Sequence, residues 1–206
     1  MSTNLVDCQK CPRLHRNLRQ LRQQFPHYHN LPVAGFGAAQ AQLLIVGLAP
    51  GKHGANASGI PFTGDASGDF LWAALAAAGL IQIKQDGSPR LTQCRVTNAV
   101  KCFPPQNRPQ ATEINQCNSY LKAEIAAIRR PAIILSLGIQ AHRATLKALE
   151  LTLSDYKFEH GKAFEILPDL TLLDSYHCSR YNTQTRRLTR PMFDKVLKKI
   201  TQKLDD

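Results

Sequence analysis

Four short apolar runs that alternate with helical patterns constrain the fold of this chain most strongly. The runs have the length and β-branched content of buried strands, and they cover residues 42–47, 95–100, 132–137 and 170–175. Apolar residues at helical spacing lie between them, in 68–80, 112–129 and 139–151. Strands that alternate with helices predict a parallel sheet covered on both faces. With 206 residues and no repeat or break in composition, we predict a single α/β domain, a three-layer α/β/α sandwich around a four-stranded parallel sheet.

Two further helices are predicted at the ends of the chain. The first covers about residues 12–25, with an apolar stripe at Leu14, Leu18, Leu21 and Phe25 and basic residues every three positions from Lys10 to Arg22. The last covers about 190–204 and closes the sheet. Loops are predicted from Gly, Pro, Asn and Ser content at 52–66, 84–93, 103–111 and 176–189.

The chain is strongly basic, with a formal charge of +11 from 26 basic and 15 acidic side chains. This excess predicts a phosphate-rich partner such as nucleic acid, although an acidic membrane surface would also attract it. A basic chain without a polyanionic partner is the alternative. No apolar run approaches the roughly 20 residues that span a bilayer, and the N-terminus has no secretory signal. We therefore expect a cytoplasmic protein with no membrane partner.

Four cysteines form two separated pairs. Cys8 and Cys11 make a C-x-x-C, and Cys102 and Cys117 make a C-x14-C. In an intracellular chain such pairs are reduced thiols or metal ligands rather than disulfides. The spacing predicts a metal or iron–sulfur site that fixes the N-terminal segment to the middle of the fold, and it does not choose between zinc and iron. Cys94 lies outside the pattern and is predicted to be a buried thiol.

Polar or glycine-rich segments lie near the ends of three of the predicted strands. They are the loop Gly47-Leu48-Ala49-Pro50-Gly51, Asn98 and His177. Ligands bind at the carboxyl ends of parallel strands, so these segments are expected to meet at one edge of the sheet. Glycines in the loop would let backbone N–H groups approach a ligand closely.

Candidate side chains near this edge have structural as well as functional interpretations. Phe62 lies in a predicted loop, where an aromatic ring can stack on a base. Asp65 or Ser67 would cap the following helix. Asn98 offers a donor and an acceptor, the complement of an amide-like base edge, or it caps its own turn. His177 precedes Ser179 and Arg180 in a basic loop and could donate to a phosphate or a carbonyl, with His53 a weaker candidate.

Five separated motifs, in order, resemble the uracil-DNA glycosylase superfamily, and most of all its family 5, the type-B enzymes of bacteria and archaea. The motifs are Gly47–Gly51, Gly59–Gly68, Thr97–Cys102, His177–Thr185 and Arg187–Thr189. With the cysteine spacing, the resemblance runs from about residue 8 to residue 193. The resemblance implies a specific function for each segment.

The resemblance implies that Cys8, Cys11, Cys102 and Cys117 ligate a structural [4Fe–4S] cluster. It implies that Phe62 stacks on a flipped uracil, that Asn98 faces the Watson–Crick edge, and that His177 bonds a base carbonyl or a flanking phosphate. Gly47, Leu48, Ala49 and Gly51 would complete the base pocket. The 177–187 loop would enter the DNA groove with the side chains of Ser179, Arg180, Asn182, Arg186 and Arg187.

Position 48 distinguishes this chain from the related type-A enzymes, which look like Gly-Glu-Ala-Pro-Gly in the first motif. Leu48 cannot activate water, so the resemblance points to Asp65 as the catalytic carboxylate, with His177, in a dissociative reaction. The implied enzyme is a monomeric, monofunctional glycosylase without lyase activity. It would excise uracil, and also hypoxanthine or other deaminated bases, and thereby initiate base excision repair. Cys178, where relatives commonly have Pro, leaves the shape of that loop open.

Two other classes of protein remain. One is a non-catalytic basic module that binds nucleic acid and holds zinc at the four cysteines. The other is an electron-transfer iron–sulfur protein, although nothing else in the chain resembles a redox partner site.

Overall fold

A six-stranded sheet forms the centre of the protein, of which the computed structural model describes residues 4–205. The strand order is β1-β5-β2-β6-β8-β7, and β3 and β4 form a separate hairpin. The strands are β1 (Phe36–Gly37), β2 (Leu43–Gly47), β3 (Gln82–Ile83), β4 (Pro89–Arg90), β5 (Cys94–Asn98), β6 (Ala132–Leu137), β7 (Ala163–Leu167) and β8 (Leu170–Ser175). The helices are α1 (Pro12–Gln24), α2 (Ala55–Ser58), α3 (Ala66–Ala77), α4 (Ala111–Ala127), α5 (Ile139–Ala148), α6 (Arg180–Gln184) and α7 (Arg190–Asp205).

The four predicted strands are confirmed, and they pair in parallel as β5-β2-β6-β8. Every residue of β2, β6 and β8 is buried, which explains why these strands are continuous apolar runs rather than alternating ones. The second strand ends at Asn98 and not at residue 100. Asn98 is therefore the last residue of β5, at the carboxyl edge of the sheet.

The prediction of four strands was incomplete, because an antiparallel strand extends the sheet at each edge. The two-residue β1 pairs with β5, and β7 pairs with β8. β1 is too short to show a period, and β7 is mostly exposed. The sequence pattern therefore carried no burial signal for either edge strand.

Helices cover both faces of the sheet, which confirms the three-layer sandwich. Successive side chains of a strand point to opposite faces. In β2, Leu43 and Ile45 pack in one core with residues of α3 and α7, among them Leu71 and Phe193. Leu44 and Val46 pack in the other core with residues of α4 and α5. Both cores end at the carboxyl edge, where the strand-to-helix loops begin.

The N-terminal helix α1 packs as predicted and is held against α4. Pro12 occupies its first turn, and Leu14, Leu18 and Leu21 are buried. Arg13 binds both carboxylate oxygens of Glu113 at 2.7 Å, and Glu113 also closes the capping box of α4. This bidentate ion pair fixes α1 beside the segment that carries Cys117.

Two predicted loops contain short helices. The 52–66 segment includes α2, and the 176–189 segment includes α6, whose N-cap Ser179 accepts the Asn182 N–H at 3.4 Å. A helix of five residues is too short to show an apolar stripe, so polar composition alone predicted a loop. No helix within residues 4–205 combines the length and apolar character needed to cross a membrane.

Candidate active site

A cavity of about 770 Å³ opens at the carboxyl ends of β2, β5 and β8. It brings together predicted residues from four separate segments of the chain. They are Leu48, Ala49 and Gly51, then Phe62 and Asp65, then Asn98, and finally His177, Ser179 and Arg180. The expected convergence at one edge of the sheet is thus confirmed, while the roles of the individual residues stay predictions.

Gly47, the last residue of β2, allows two of these side chains to approach the strand. A β-carbon at this position would lie 2.5 Å from Oδ1 of Asn98 and 2.6 Å from Cζ of Phe62. Neither contact is tolerable for real atoms, so the amide and the ring can occupy their places only because residue 47 has no side chain. Gly47 itself lies beneath the cavity wall rather than in it.

Phe62 has a strained backbone and a buried ring. Its φ is 55°, a left-handed conformation that is rare for an aromatic residue, and its side chain is only 6% exposed. The backbone needs Gly68, because a β-carbon there would collide with the Phe62 carbonyl oxygen. Strain of this kind persists only where surrounding structure enforces it, and it is common at functional sites.

The two carboxylate oxygens of Asp65 have different surroundings. Oδ1 accepts the N–H groups of Ser67 and Gly68, each at 3.0 Å, and so caps α3. Oδ2 lies beside the Gly51–Gly54 backbone, since a β-carbon on Gly51 would be 3.0 Å from it. The capping interpretation is therefore correct, and it leaves the second oxygen directed at the cavity wall.

His177 lies beside Phe62, with ring centroids 6.2 Å apart and the planes 28° apart. Burial lowers its pKa, and the nearby charge of Asp65 only partly opposes this shift. The imidazole is therefore neutral near pH 7. Asn182 donates its amide N–H to the His177 carbonyl at 2.7 Å and holds the loop in place.

Cys178 is a buried tether of the same loop. Its Sγ lies 3.4 Å from the carbonyl oxygen of Ser67, and burial raises the pKa of the thiol to about 12. It is a protonated side chain that connects the loop after β8 to the start of α3.

Three predicted DNA-binding residues do not line the cavity. Asn182 acts within its own loop, as described above. Arg186 is exposed in a left-handed turn with φ 57°. The Arg187 guanidinium lies 5.0 Å from the centroid of the Tyr176 ring, a cation–π contact that packs it against the start of the loop.

Several residues of the cavity wall were not candidates from the sequence or were weak ones, among them Lys52, His53 and Asn107. Lys52 and His53 directly follow the Gly47–Gly51 loop, which was the available signal for them. Asn107 belongs to a turn in which Gln106 and Asn107 both have positive φ, at 59° and 57°. No periodic pattern predicts that this turn, between Cys102 and Cys117, reaches the same cavity.

The four cysteines of the two pairs line a second, small cavity of about 20 Å³ between α1, α4 and the end of β5. Burial raises the pKa of Cys11 to about 11 and also raises that of Cys102 and Cys117, and the sulfurs oppose one another's ionisation. The Sγ of Cys117 accepts the Lys101 N–H at 3.3 Å. Within residues 4–205, no three His, Cys, Asp or Glu side chains are grouped as ligands of a metal ion. Cys94 is buried in the core beneath α3 and α7, away from this group, as predicted.

A buried charged network lies between the cysteines and β5. Lys101 is 1% exposed, and its ammonium group donates to Thr97 Oγ1 and to Glu124 Oε2, the latter at 2.5 Å. Arg95 lies 3.5 Å from the other oxygen of Glu124. The strand that carries Asn98 is thereby anchored on the side of the cysteines.

Comparison with known proteins finds relatives over nearly the whole chain. The family model of the uracil DNA glycosylase superfamily matches residues 34–201. A type-5 uracil-DNA glycosylase of Thermus thermophilus is 41% identical, and the alignment covers 94% of this chain and 92% of that protein. One of Pyrobaculum aerophilum is 38% identical over 95% of this chain and 88% of that protein. A type-4 enzyme of Archaeoglobus fulgidus is 31% identical over 79% of this chain and 70% of that protein.

The molecule is an open α/β protein: a three-layer α/β/α sandwich with a cavity at the carboxyl edge of its parallel strands, where such folds bind their ligands. The chain belongs to the uracil-DNA glycosylase superfamily and is similar to its type-5 members over nearly its whole length.

Proposed function

We propose that this protein is a DNA glycosylase that excises uracil from DNA and so initiates base excision repair. The observation that carries the proposal is the convergence of Phe62, Asp65, Asn98 and His177 on one cavity large enough for a nucleotide. The similarity to a type-5 enzyme over 94% of the chain supports it. A base inside a duplex is out of reach of such a cavity, so the target nucleotide must leave the stack.

The surroundings of the cavity suit an amide-like base. Phe62 provides an apolar face, and Asn98 provides both a donor and an acceptor at the end of β5. Since His177 is neutral, it can donate an N–H to a base carbonyl without carrying a charge of its own. As the glycosidic bond breaks, these N–H groups would stabilise the negative charge that develops on the departing base.

Asp65 is the one predicted catalytic carboxylate in the cavity wall, because residue 48 is leucine. Oδ1 is occupied by two backbone N–H groups, which fix the orientation of the carboxylate. Oδ2 would face the sugar, where it would stabilise positive charge and orient the attacking water. Water as the nucleophile leaves an abasic site in an intact strand, so we propose a monofunctional enzyme without lyase activity.

The cavity of about 770 Å³, with the apolar Leu48 in its wall, is large enough for bases larger than uracil, and we propose that hypoxanthine and other deaminated bases are further substrates. Arg180 and Ser179 lie at the cavity mouth, where they would contact the DNA backbone. We propose a monomer, as the resemblance implies. It would act in the cytoplasm, where its cysteines stay reduced.

We propose that Cys8, Cys11, Cys102 and Cys117 hold a [4Fe–4S] cluster. Their shared cavity, the apolar wall around it and the N–H that Cys117 accepts fit this group, because thiolates of such clusters are stabilised by backbone N–H donors. A cluster separates its thiolates more than a single ion does, so the absence of a mononuclear ligand group in residues 4–205 is compatible with it. Bound there, it would supply no chemistry to the reaction and would join α1 to α4 and β5.

Base release is the decisive test of the activity. Duplexes that carry one uracil or one hypoxanthine are incubated with the protein, and the strand is then cleaved with alkali. We expect free uracil, and strand cleavage only after alkali. No release from either duplex would leave the non-catalytic binding module as the function.

Iron and acid-labile sulfide, measured together with the visible spectrum of anaerobically purified protein, test the cluster independently of activity. We expect iron and sulfide in equal amounts and a brown protein. A colourless protein with stoichiometric zinc would overturn the cluster and retain the four-cysteine site.

A further inference from the structure

Three rings and a cation form a compact group at the mouth of the cavity. Phe25 stacks on Tyr28 at 4.9 Å between centroids, and His53 packs edge-on against both, at 5.7 and 5.9 Å. The Lys52 ammonium lies 4.6 Å from the centroid of the Phe25 ring. We call these four residues, Phe25, Tyr28, Lys52 and His53, the aromatic platform.

The aromatic platform joins two distant parts of the chain. Phe25 ends α1, and Lys52 and His53 belong to the loop after β2. The Tyr28 hydroxyl lies 3.0 Å from Nδ1 of His53. When that hydroxyl donates the bond, the neutral imidazole carries its proton on Nε2. His53 is exposed, so Tyr28 fixes an N–H donor at the protein surface.

The charge of Lys52 is held in place, and no carboxylate of the described residues pairs with it. The cation–π contact with Phe25 orients the ammonium group. Lys52 takes part in none of the ion pairs found within residues 4–205. An oriented ammonium group beside an oriented imidazole N–H is a suitable arrangement for binding an anionic oxygen.

The position of the aromatic platform in the fold indicates which anion that is. Lys52 and His53 line the cavity from the loop after β2, and Arg180 lines it from the loop after β8. β6 lies between these two strands, so the cations occupy opposite sides of the crevice. When one nucleotide of a DNA strand enters the cavity, the strand continues on both sides of it. The backbone therefore carries one phosphate on each side of that nucleotide.

We propose that the aromatic platform is a phosphate-binding subsite for the DNA strand that contains the target nucleotide, on the side of the cavity away from Arg180. Lys52 and His53 bind the phosphodiester oxygens. Phe25 holds the Lys52 side chain in place, and Tyr28 holds that of His53. This inference rests on the proposed function, since it presumes DNA at the cavity. The aromatic platform would be a second phosphate contact on the same strand, so that the phosphates on both sides of the flipped nucleotide are held by protein.

Salt dependence of binding tests the charge of Lys52. The ligand is a duplex with a tetrahydrofuran abasic analogue, and affinity is measured by fluorescence anisotropy over a range of salt concentrations. Lys52→Gln is expected to reduce the slope of log K against log salt by about 0.9, the effect of one lost phosphate contact. Lys203→Gln is the control for a lysine remote from the cavity, because Lys203 pairs with Glu165 and lies with Gln42 and Ala132 at the amino ends of the strands. It is expected to leave the slope unchanged.

Replacing single phosphates locates the contact. Neutral methylphosphonates are placed one at a time on each side of the abasic analogue. For the wild type, one position on each side is expected to weaken binding. In Lys52→Gln the loss at one of these positions should disappear, while the loss on the other side remains. An unchanged methylphosphonate profile, or a slope equal to that of the wild type, would overturn the proposal and leave Lys52 a solvated lysine on a ring.

Tyr28→Phe tests the positioning role of the hydroxyl. It is expected to raise KM for uracil-containing duplex several-fold with kcat unchanged, and the thermal midpoint confirms that the variant is folded. Unchanged KM would show that His53 needs no orientation. Wild-type uracil release is measured alongside: its absence would defeat the proposed function, whereas release with an unchanged Lys52→Gln profile would defeat this inference alone.

Discussion

The ring of Phe62 and the imidazole of His177 lie 6.2 Å apart, centroid to centroid, with their planes 28° apart. The two residues are 115 positions apart in sequence (177 − 62) and follow different strands. Their contact joins the loop after β2 to the loop after β8 across the crevice. Two of the segments that form the cavity are therefore packed against each other, and several changes that disturb the cavity are measurable.

His177 should remain neutral throughout the physiological range. Burial lowers its pKa below the ordinary value of 6.5, so the unfolded chain binds a proton that the folded protein excludes. Its contribution to the free energy of unfolding is thus constant above about pH 6.5 and is lost as the pH falls below it. In His177→Gln the decline in stability between about pH 7 and pH 5 should be smaller, as measured by urea unfolding. A wild-type rate that falls with a midpoint at or above 6.5 would contradict a neutral imidazole.

Asp65→Asn separates catalysis from helix capping. Asparagine caps as well as aspartate, so the free energy of unfolding should change by less than about 0.5 kcal/mol. The charge at Oδ2 is lost, and turnover on uracil-containing duplex should fall at least about 100-fold. Asp65→Ala should lower turnover to the same extent. It should also lower the free energy of unfolding by about 1 kcal/mol, because alanine cannot cap α3. Wild-type turnover in Asp65→Asn would reduce Asp65 to a helix cap.

Gly47→Ala should disturb Phe62 and Asn98 together. The new methyl group would lie 2.5 Å from Oδ1 of Asn98 and 2.6 Å from Cζ of Phe62, so both must move. Overpacking of this kind lowers stability by about 1–3 kcal/mol, and displacement of both groups should abolish most base release. Thermal unfolding and single-turnover kinetics measure the two effects. A variant with normal activity would show that neither group needs its observed position.

The buried pair of Lys101 and Glu124 should respond asymmetrically. Glu124→Gln leaves the Lys101 ammonium without a carboxylate in an apolar setting and should cost about 3–5 kcal/mol. Lys101→Met should cost less, because Glu124 is partly exposed and keeps Arg95 at 3.5 Å. The double variant should be more stable than Glu124→Gln alone. Urea denaturation of all three gives the comparison, and equal losses for the two single variants would contradict it.

Asn107 tests whether the turn between Cys102 and Cys117 contacts the substrate. Glycine accepts the φ of 57° without strain, whereas alanine should lower stability by about 1 kcal/mol. If the amide binds DNA in the cavity, Asn107→Gly and Asn107→Ala should raise KM equally. Only Asn107→Ala should lower the free energy of unfolding. Gln106→Gly is the control, with a similar backbone and no place in the cavity wall. An unchanged KM in Asn107→Gly would show that asparagine is there for the turn alone.

The sequence was sufficient for the layers of the fold, because local patterns report burial. The four central strands are buried apolar runs, fully so in β2, β6 and β8, and α1 and α7 carry clear apolar stripes, so their positions follow from composition and period. The edge strands, the β3–β4 hairpin, α2 and α6 were missed, since they are too short or too exposed to show either signal. The motifs that resemble the superfamily likewise identified the segments of the cavity.

Only the tertiary structure decided how individual side chains meet. It gave Asp65 two differently placed oxygens, put Arg187 on Tyr176, and brought the end of α1 to Lys52 and His53. The contact of Phe25 with Lys52 joins separate parts of the chain, and a local pattern contains no information about a distant partner. The sequence by itself determined the order of the central strands and the main helices, since each of these elements depends on its own residues. The tertiary structure decided every contact between them, since packing is a property of the whole chain.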